Sequence, residues 1–276
     1  MLILCNSQYI FMTDILLNLA KETALRAARE VLVIYDSTDI QVDTKSDNSP
    51  VTEADLKSES VIKENLEESG IKILSEEGVD DGARKEKDTL WIVDPLDGTS
   101  DFIKKTDDFS IMIGLIEKGE VVLGVVCAPA KNKIFYATKD GGAFVENFGG
   151  NNKSELRVSE VSNLLDARPV FSRFHLGEKE QELLSKIGIN EYNKMGSSGL
   201  KICSISEGRS DFYITFTDKM SEWDVCAAEI ILKEAGGRVT DIKGNDLSYN
   251  KQSTKLENGV LASNNLIHEK IISEIE

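Results

Sequence analysis

The sequence predicts a mixed α/β protein with helices and sheets stacked in five layers, α/β/α/β/α, whose first half is α+β. Two observations predict this class: two helical patterns precede a run of strands in the first half, and strands alternate with helices in the second. The chain has 276 residues, of which 41% are hydrophobic, so it can bury a large core.

Two predicted helices open the chain. Apolar residues recur at helical spacing over 13–35, and Met12-Thr13-Asp14 form a natural helix start. We interpret residues 1–11 as an N-terminal extension of little structural consequence. Thr52 to Asp55 have the form of a capping box, which predicts a second helix ending near Gly70.

The remainder of the first half is predicted to form a sheet. Strands at 71–74 and 90–93 precede a series of apolar runs separated by Gly-containing turns, the pattern of an antiparallel meander. These runs cover 109–116, 121–128, 133–137 and 142–145.

The Gly/Asn/Lys-rich segment 148–155 predicts a boundary between two subdomains. The first, 12–150, would be an α+β unit, and the second, 151–276, would be an α/β unit that completes a cleft. The second half is predicted to contain strands at 169–172, 211–215, 237–242 and 259–262, and helices at 178–187, 199–207, 224–235 and 265–275.

Charge and composition exclude several classes of function. Lys plus Arg is 32 and Asp plus Glu is 48, so the formal charge is 32 − 48 = −16, which argues against binding to nucleic acid polymers. Only His175 and His268 are available for a histidine-based metal site or a Ser-His-Asp triad, and both lack neighbouring ligands. The scattered cysteines, with no CxxC pair, are typical of reduced, buried thiols; they are Cys5, Cys127, Cys203 and Cys226.

These features predict a cytoplasmic protein with no integral membrane segment, because the apolar residues 1–11 are too short to span a bilayer and lack a signal-peptide pattern. Peripheral association with the inner membrane stays open. The sequence equally leaves open whether the protein is a monomer or a homodimer.

Acidic residues end two predicted neighbouring strands. Glu76 and Glu77 follow the strand at 71–74, and Asp94 and Asp97 follow the strand at 90–93. Strands of one sheet end near each other, so these carboxylates can converge, and unpaired they would repel one another. Clustered oxygen ligands without His or Cys are typical of Mg²⁺ sites.

A simpler interpretation is available for these acids. Asp94 can be a turn residue before Pro95, and Asp97-Gly98 an ordinary Asp-Gly turn. Against it, Thr99 and Ser100 follow at once, and Gly-Thr-Ser can begin a helix whose free N–H groups hold a phosphate. Acids and an anion cradle together favour metal-assisted phosphoryl transfer.

Three further positions are ambiguous when taken singly. Asp224 could be only the N-cap of a helix or could bind a cation. Asp55 could complete the capping box with Thr52 or accept a hydrogen bond from Thr99 and help to activate water. Gly196-Ser197-Ser198-Gly199 could be a turn into a helix or a phosphate and ribose contact.

Taken together, LSEEG (74–78), DPLDGTSDF (94–102) and EWDVCAAEIILKEAGG (222–237) resemble the lithium-sensitive, Mg²⁺-dependent phosphatase superfamily. That superfamily includes inositol monophosphatases, fructose-1,6-bisphosphatases and 3′(2′),5′-bisphosphate nucleotidases. The resemblance extends over Met12 to Glu276 and implies their five-layer fold.

The resemblance also implies site roles. The water-activating pair would be Asp55 and Thr99. Two or three Mg²⁺ ions would be held by Glu76, Asp94, the Leu96 carbonyl, Asp97 and Asp224. Substrate would contact Leu96, Asp97, Gly98, Thr99, Gly196, Ser197, Ser198, Lys201 and Asp224, with phosphate on the backbone of Gly98 and Thr99.

Within the superfamily, three stretches resemble the bacterial bisphosphate nucleotidase branch, the CysQ type: KSDNSPVTEAD (45–55), the leucine of DPLDGT, and GVVCAPA (124–130). This implies removal of the 3′-phosphate of adenosine 3′,5′-bisphosphate, a small phosphorylated substrate of sulfur metabolism. The alternatives are an inositol or sugar phosphate phosphatase and a non-catalytic nucleotide-binding module.

The loop around Gly199 departs from that branch. Gly199 separates Ser198 from Leu200, a length that fits the inositol-phosphatase version of the loop. Lys201, in contrast, suits a substrate with a second phosphate. The loop therefore leaves base or ring specificity open.

Overall fold

The computed structural model describes residues 2–38, 40–44, 50–80, 82–174 and 176–275, with backbone alone for residues 2–11. The motif residues 45–49 and His175, which has no neighbouring metal ligand in the sequence, lie outside this part of the chain.

The described residues form helices and strands in the following order along the chain. The helices are α1 (Leu2–Tyr35), α2 (Glu53–Leu66), α3 (Thr99–Ile103), α4 (Glu178–Ile187), α5 (Ser198–Ser206), α6 (Cys226–Glu234) and α7 (His268–Ile275). The strands are β1 (Val42–Thr44), β2 (Pro50–Thr52), β3 (Lys72–Ser75), β4 (Thr89–Asp97), β5 (Ser110–Glu117), β6 (Glu120–Ala128), β7 (Lys133–Thr138), β8 (Gly142–Asn147), β9 (Ser154–Glu155), β10 (Val170–Ser172), β11 (Asn193–Met195), β12 (Phe212–Thr215), β13 (Arg238–Thr240) and β14 (Val260–Ser263).

A large sheet organises the first half. Its order is β3-β4-β5-β6-β7-β8-β9; β3 pairs parallel with β4, and every later pair is antiparallel, which confirms the predicted meander. One face packs on α1 and α2, where Ala20, Ala24 and Ala27 lie buried at helical spacing.

The opposite face of the large sheet packs on α5 and α6. The backbone of α6 approaches very closely, since a Cβ added at Gly124 would lie 2.1 Å from the Ala227 carbonyl oxygen. Glycine in the middle of β6 is therefore required by this contact. The close fit fixes where α6, and the turn that precedes it, stand relative to the sheet.

The second half adds a smaller sheet of order β12-β14-β13, all antiparallel, and the parallel pair β10-β11. Helix α5 contacts these strands from one side, and α7 packs on β14 from the other, beside α4. The layers thus run α1/α2, large sheet, α5/α6, small sheets, α4/α7, and the predicted mixed α/β class is confirmed.

The observed elements differ from the prediction in two boundaries and in four short strands that were not predicted, β1, β2, β9 and β11. Helix α1 begins at Leu2, not at Met12–Asp14, because no Pro or Gly interrupts its first turns. Strand β4 continues past Val93 to Asp97. Strand β11 was not predicted, because its sequence, Asn-Lys-Met, carries no strand pattern.

Within the described residues, every helix is too short or too polar to serve as a membrane span.

Candidate active site

A β-bulge in β4 brings Asp94 and Asp97 to the same face of the large sheet. In a regular strand, residues three apart point to opposite faces. Here Asp94 pairs with Met112 and Asp97 with Ser110, so three residue steps on β4 match two on β5. The extra residue lies around Pro95-Leu96, and it turns the second carboxylate to the side of the first.

Asp224 completes the cluster from the turn before α6. One carboxylate oxygen from each of Asp94, Asp97 and Asp224 lies within 4.8 Å of the others, an arrangement that could hold a metal ion. Asp94 is 1% exposed and Asp97 is 9% exposed, while Asp224 is partly buried.

The N-cap interpretation of Asp224 is wrong. Helix α6 begins at Cys226 and is preceded by Val225, so Asp224 lies outside its cap position. Its carboxylate instead accepts the Ser221 N–H at 2.6 Å, closing a capping box in the single turn Glu222–Asp224. This bond fixes the side chain while the turn aims it at the other two acids.

Neighbouring groups do not fully compensate the negative charge of the cluster formed by Asp94, Asp97 and Asp224. Burial raises the pKa of Asp94 well above its ordinary value, and the charges of Glu76, Asp97 and Asp224 raise it further. Burial likewise raises the pKa of Asp224 to about 8, with added contributions from Asp97 and Glu76. An all-oxygen donor set with this excess of charge fits a hard divalent cation such as Mg²⁺.

Glu76 lies next to the cluster because β3 runs beside β4. Its N–H donates to the Val93 carbonyl at 3.2 Å, one residue before Asp94, and its charge acts on both Asp94 and Asp224. Glu77, the next residue, is partly buried.

Leu96 connects the bulge to the residues around it. Its N–H donates to Asp94 Oδ1 at 3.0 Å, and its carbonyl accepts the Thr99 hydroxyl at 3.2 Å. Asp94 therefore makes the turn contact that the simpler interpretation expected and also takes part in the acid cluster.

Asp55 combines its two predicted contacts. Its Oδ2 accepts the Thr52 N–H at 2.8 Å and the Thr52 hydroxyl at 2.6 Å, which forms the predicted capping box of α2. Its Oδ1 accepts the Thr99 hydroxyl at 3.1 Å. The capping box thus holds a carboxylate against Thr99, and the two roles do not compete.

Gly98 permits the chain to turn from β4 into α3. Its φ is 93°, and an added Cβ would lie 2.8 Å from the Asp108 carbonyl oxygen and 3.1 Å from the Ser197 nitrogen. The predicted phosphate contact of the Gly98 and Thr99 backbone stays a prediction.

The loop before α5 contacts Asp97. Asp97 Oδ2 accepts the Ser197 hydroxyl at 2.5 Å, the Ser198 hydroxyl at 3.0 Å and the Gly199 N–H at 2.9 Å. Ser197 is 4% exposed and Ser198 is 7% exposed. The hydroxyls of Ser197 and Ser198, which the resemblance assigned to substrate binding, therefore contact the Asp97 carboxylate in this structure. Gly199 contacts the same carboxylate through its N–H.

Lys201 is buried beneath the same loop. It is 4% exposed and its ammonium group donates to the Ser197 carbonyl at 2.9 Å. Burial lowers the pKa of Lys201, against the influence of Asp97 and other acids nearby. One ammonium proton is therefore committed to the backbone, and the expected contact of Lys201 with a second phosphate stays a prediction.

Sequence reasoning missed the anchor of the Asp224 turn, Glu222. This carboxylate is fully buried and accepts the N–H groups of Asn250 at 2.8 Å and Lys251 at 3.1 Å. Arg84 in turn donates to Asn250 Oδ1 at 2.7 Å. Through Arg84, this hydrogen-bond network connects the segment after Glu76 to the turn that holds Asp224. In the sequence, the position of Glu222 next to Trp223 is the only indication of the network.

A second missed group fixes Gly196 at the start of the serine loop. Asp108 accepts the Gly196 N–H at 3.3 Å, pairs with Lys131 at 2.8 Å and also accepts the Arg173 guanidinium. Although burial opposes the charged form, these donors lower the pKa of Asp108. Asp108 is therefore a charged anchor for the loop.

The histidine and cysteine predictions can be compared with the described side chains. His268 is buried between the hydroxyls of Thr240 at 2.9 Å and Ser263 at 2.8 Å, a structural role. The predicted free, buried thiols are confirmed for Cys127, Cys203 and Cys226. The side chain of Cys5 lies outside the described groups.

Comparison with known proteins agrees with this geometry. Residues 12–276 match the model of the inositol monophosphatase family. The protein belongs to this family. It is similar to a 3′(2′),5′-bisphosphate nucleotidase CysQ of Shigella flexneri, at 35% identity over 249 residues that cover 88% of this chain and 97% of the relative.

Solved structures of the family share the fold. The IMPase of Thermotoga maritima superposes with a TM-score of 0.80 and 29% identity, covering 94% of this chain and 96% of that one. CysQ from Bacteroides thetaiotaomicron, a bacterial member of the family, gives a TM-score of 0.75 and 30% identity over 90% of this chain and 97% of its own.

Proposed function

We propose that the protein is a Mg²⁺-dependent phosphomonoester hydrolase that removes the 3′-phosphate of adenosine 3′,5′-bisphosphate, giving AMP and inorganic phosphate. The observation that carries the chemistry is the convergence of Asp94, Asp97 and Asp224 beside the Asp55–Thr99 pair. The 35% identity to a bisphosphate nucleotidase over most of both chains supports the choice of substrate.

The ligands proposed for two or three Mg²⁺ ions are Glu76, Asp94, the Leu96 carbonyl, Asp97 and Asp224. Bound Mg²⁺ would neutralise phosphate charge, stabilise the leaving oxygen and make water a better nucleophile. This supplies the positive charge that a chain of net charge −16 needs at a polyanion site.

The chain's own contribution to proton transfer would come from Asp55 and Thr99. Because the Thr99 hydroxyl donates to Asp55 Oδ1, its oxygen is free to accept a proton from the attacking water. As the water gives this proton to Thr99, the proton of the Thr99 hydroxyl would pass to Asp55 Oδ1. The water oxygen bonds to phosphorus while the bond to the ribose 3′-oxygen breaks, and the leaving 3′-oxygen takes a proton from solvent to become the 3′-hydroxyl of AMP. The backbone of Gly98 and Thr99 would hold the phosphate oxygens.

A second candidate is an inositol or sugar phosphate phosphatase. The extra residue Gly199 in the serine loop favours it, since it fits the inositol-phosphatase loop length. A non-catalytic nucleotide-binding module is disfavoured, because Asp94, Asp97 and Asp224 converge and Thr99 donates to Asp55. The three free, buried thiols support a cytoplasmic location.

The test is phosphate release from adenosine 3′,5′-bisphosphate, inositol 1-phosphate and fructose 1,6-bisphosphate, each with Mg²⁺, with Mg²⁺ plus Li⁺, and with EDTA. We expect kcat/KM to be at least about tenfold higher for the adenosine substrate, with loss of activity in EDTA and inhibition by Li⁺. Preference for inositol 1-phosphate would select the second candidate, and binding without turnover the third.

A further inference from the structure

An unusual backbone conformation occurs at Ser197, which precedes α5. Its φ is 48° and its ψ is 127°, a left-handed φ at a residue other than glycine. Such conformations persist where surrounding contacts over-determine them, and they concentrate at functional sites. The contacts of Ser197 therefore indicate what this conformation serves.

The Ser197 hydroxyl uses its whole hydrogen-bonding capacity. A hydroxyl has one proton to donate and two lone pairs to accept with. Ser197 donates to Asp97 Oδ2 at 2.5 Å and accepts the Leu200 N–H at 3.0 Å. The Ser110 hydroxyl, 2.8 Å away, must then be a donor to Ser197. The Ser197 hydroxyl therefore has no proton left for a ligand.

Asp97 is the target on which the loop converges. Its Oδ2 also accepts the Ser198 hydroxyl at 3.0 Å and the Gly199 N–H at 2.9 Å. The Ser198 hydroxyl also lies 2.8 Å from the Asp224 carbonyl, so the Ser197 hydroxyl and the Gly199 N–H are the two donors committed to Asp97 Oδ2, and they fix the orientation of the carboxylate. Outer hydrogen-bond partners that orient a carboxylate in this way tune its affinity for a cation.

We propose that Ser197 is a positioning residue whose hydroxyl, held on a left-handed backbone, orients the Asp97 carboxylate for binding a divalent cation. This role replaces the substrate contact that the sequence predicted for Ser197. The inference rests on the proposed function in one respect, that the acid cluster binds a cation.

The direct test is calorimetric titration of the full-length chain with Mg²⁺. Ser197→Ala removes the hydroxyl, and Ser197→Gly removes it while allowing the left-handed φ without strain, so it separates hydroxyl loss from misfolding. We expect both to raise the Kd for Mg²⁺ by about tenfold or more. Ser204→Ala is the matched control: this serine of α5 is also buried, but its hydroxyl donates to the Lys201 carbonyl at 2.7 Å, and Kd should not change.

Steady-state kinetics with adenosine 3′,5′-bisphosphate provide the second measurement. At saturating Mg²⁺ the KM of both Ser197 variants should stay within about twofold of wild type. A raised KM with an unchanged Kd for Mg²⁺ would overturn the proposal and return Ser197 to substrate binding. Wild-type chain that binds Mg²⁺ but hydrolyses no ester would refute the proposed function and leave this inference standing, whereas wild-type chain without Mg²⁺ binding would refute both.

Discussion

Asp94 and Asp224 are held where their charged forms are disfavoured. Burial is the main cause of the raised pKa of each, and neighbouring carboxylates add to it. A bound cation would reverse the sign of the local field, so the same residues that oppose folding without metal would support it with metal. Sites of this kind trade stability for function.

The first prediction concerns stability against pH without divalent metal. The pKa of Asp224 is about 8 in the folded chain against an ordinary 3.8. Between these values the folded chain holds the proton and the unfolded chain does not, so the free energy of unfolding should fall as pH rises. His268, whose pKa burial lowers from 6.5 to about 4, gives the opposite slope between these two pH values.

The measurement is therefore thermal unfolding in EDTA between about pH 7 and about pH 8, for wild type and Asp224→Asn. The variant should lose part of the slope and gain about 2–5 °C in Tm at the upper pH, and Mg²⁺ should abolish the difference in slope. Equal slopes for the two proteins in EDTA would show that the pKa of Asp224 is not raised in the folded chain.

The second prediction separates water activation from helix capping at Asp55. Asp55→Asn keeps an oxygen that can accept the Thr52 N–H but removes the negative charge behind Thr99. We expect kcat to fall about 100-fold or more, with a smaller change in the Kd for Mg²⁺. Glu53→Gln, an exposed change in the same helical turn, is the control. A larger loss of Mg²⁺ affinity than of kcat would leave Asp55 with only its structural role.

Local backbone motifs position these residues. The bulge in β4 aligns Asp94 with Asp97, and capping boxes orient Asp55 and Asp224. Gly98 then redirects the chain into α3 between the carbonyl of Asp108 and the nitrogen of Ser197. The site therefore depends on backbone geometry as much as on the identity of its acids.

The third prediction tests that dependence at Gly98. Gly98→Ala would combine a left-handed φ with a close contact to the Asp108 carbonyl, and should cost about 2–4 kcal/mol in the free energy of unfolding. Gly70→Ala, also at positive φ but with open space around the added Cβ, should cost about 1 kcal/mol. Urea titration of both gives the comparison, and kcat should fall for Gly98→Ala alone. Equal costs would contradict the packing account.

Across the whole molecule, the sequence predicted what local patterns encode. Helical spacing gave α1 and α2, the Gly-separated apolar runs gave the meander, and the strand ends placed Glu76 and Asp94 side by side. These predictions succeed because each depends on residues near one another in the chain.

The sequence did not predict features that depend on distant residues. The bulge at Asp94–Asp97 follows from register with β5, and β11 exists because β10 lies beside it. Likewise, the Ser197 hydroxyl donates to Asp97, a residue 100 positions earlier, and the sequence did not indicate this contact. Pairing across such separations leaves no periodic trace in one sequence.

The fourth prediction concerns the start of the chain. The family match begins at residue 12, although the backbone of α1 begins at Leu2. A variant that starts at Met12 should fold with a Tm within about 3 °C of the full chain and keep its kcat/KM within about twofold. Failure to fold would show that residues 1–11 belong to the structural unit.

The central claim is that this chain uses a cation-binding acid cluster to remove the 3′-phosphate of adenosine 3′,5′-bisphosphate. The most direct measurement is ³¹P NMR of the reaction with purified wild-type chain, once with Mg²⁺ and once with EDTA. We predict that with Mg²⁺ the 3′-phosphate signal disappears, inorganic phosphate appears and the 5′-phosphate persists, and that EDTA stops the reaction. Loss of the 5′-phosphate, hydrolysis in EDTA, or no hydrolysis with Mg²⁺ would contradict the claim.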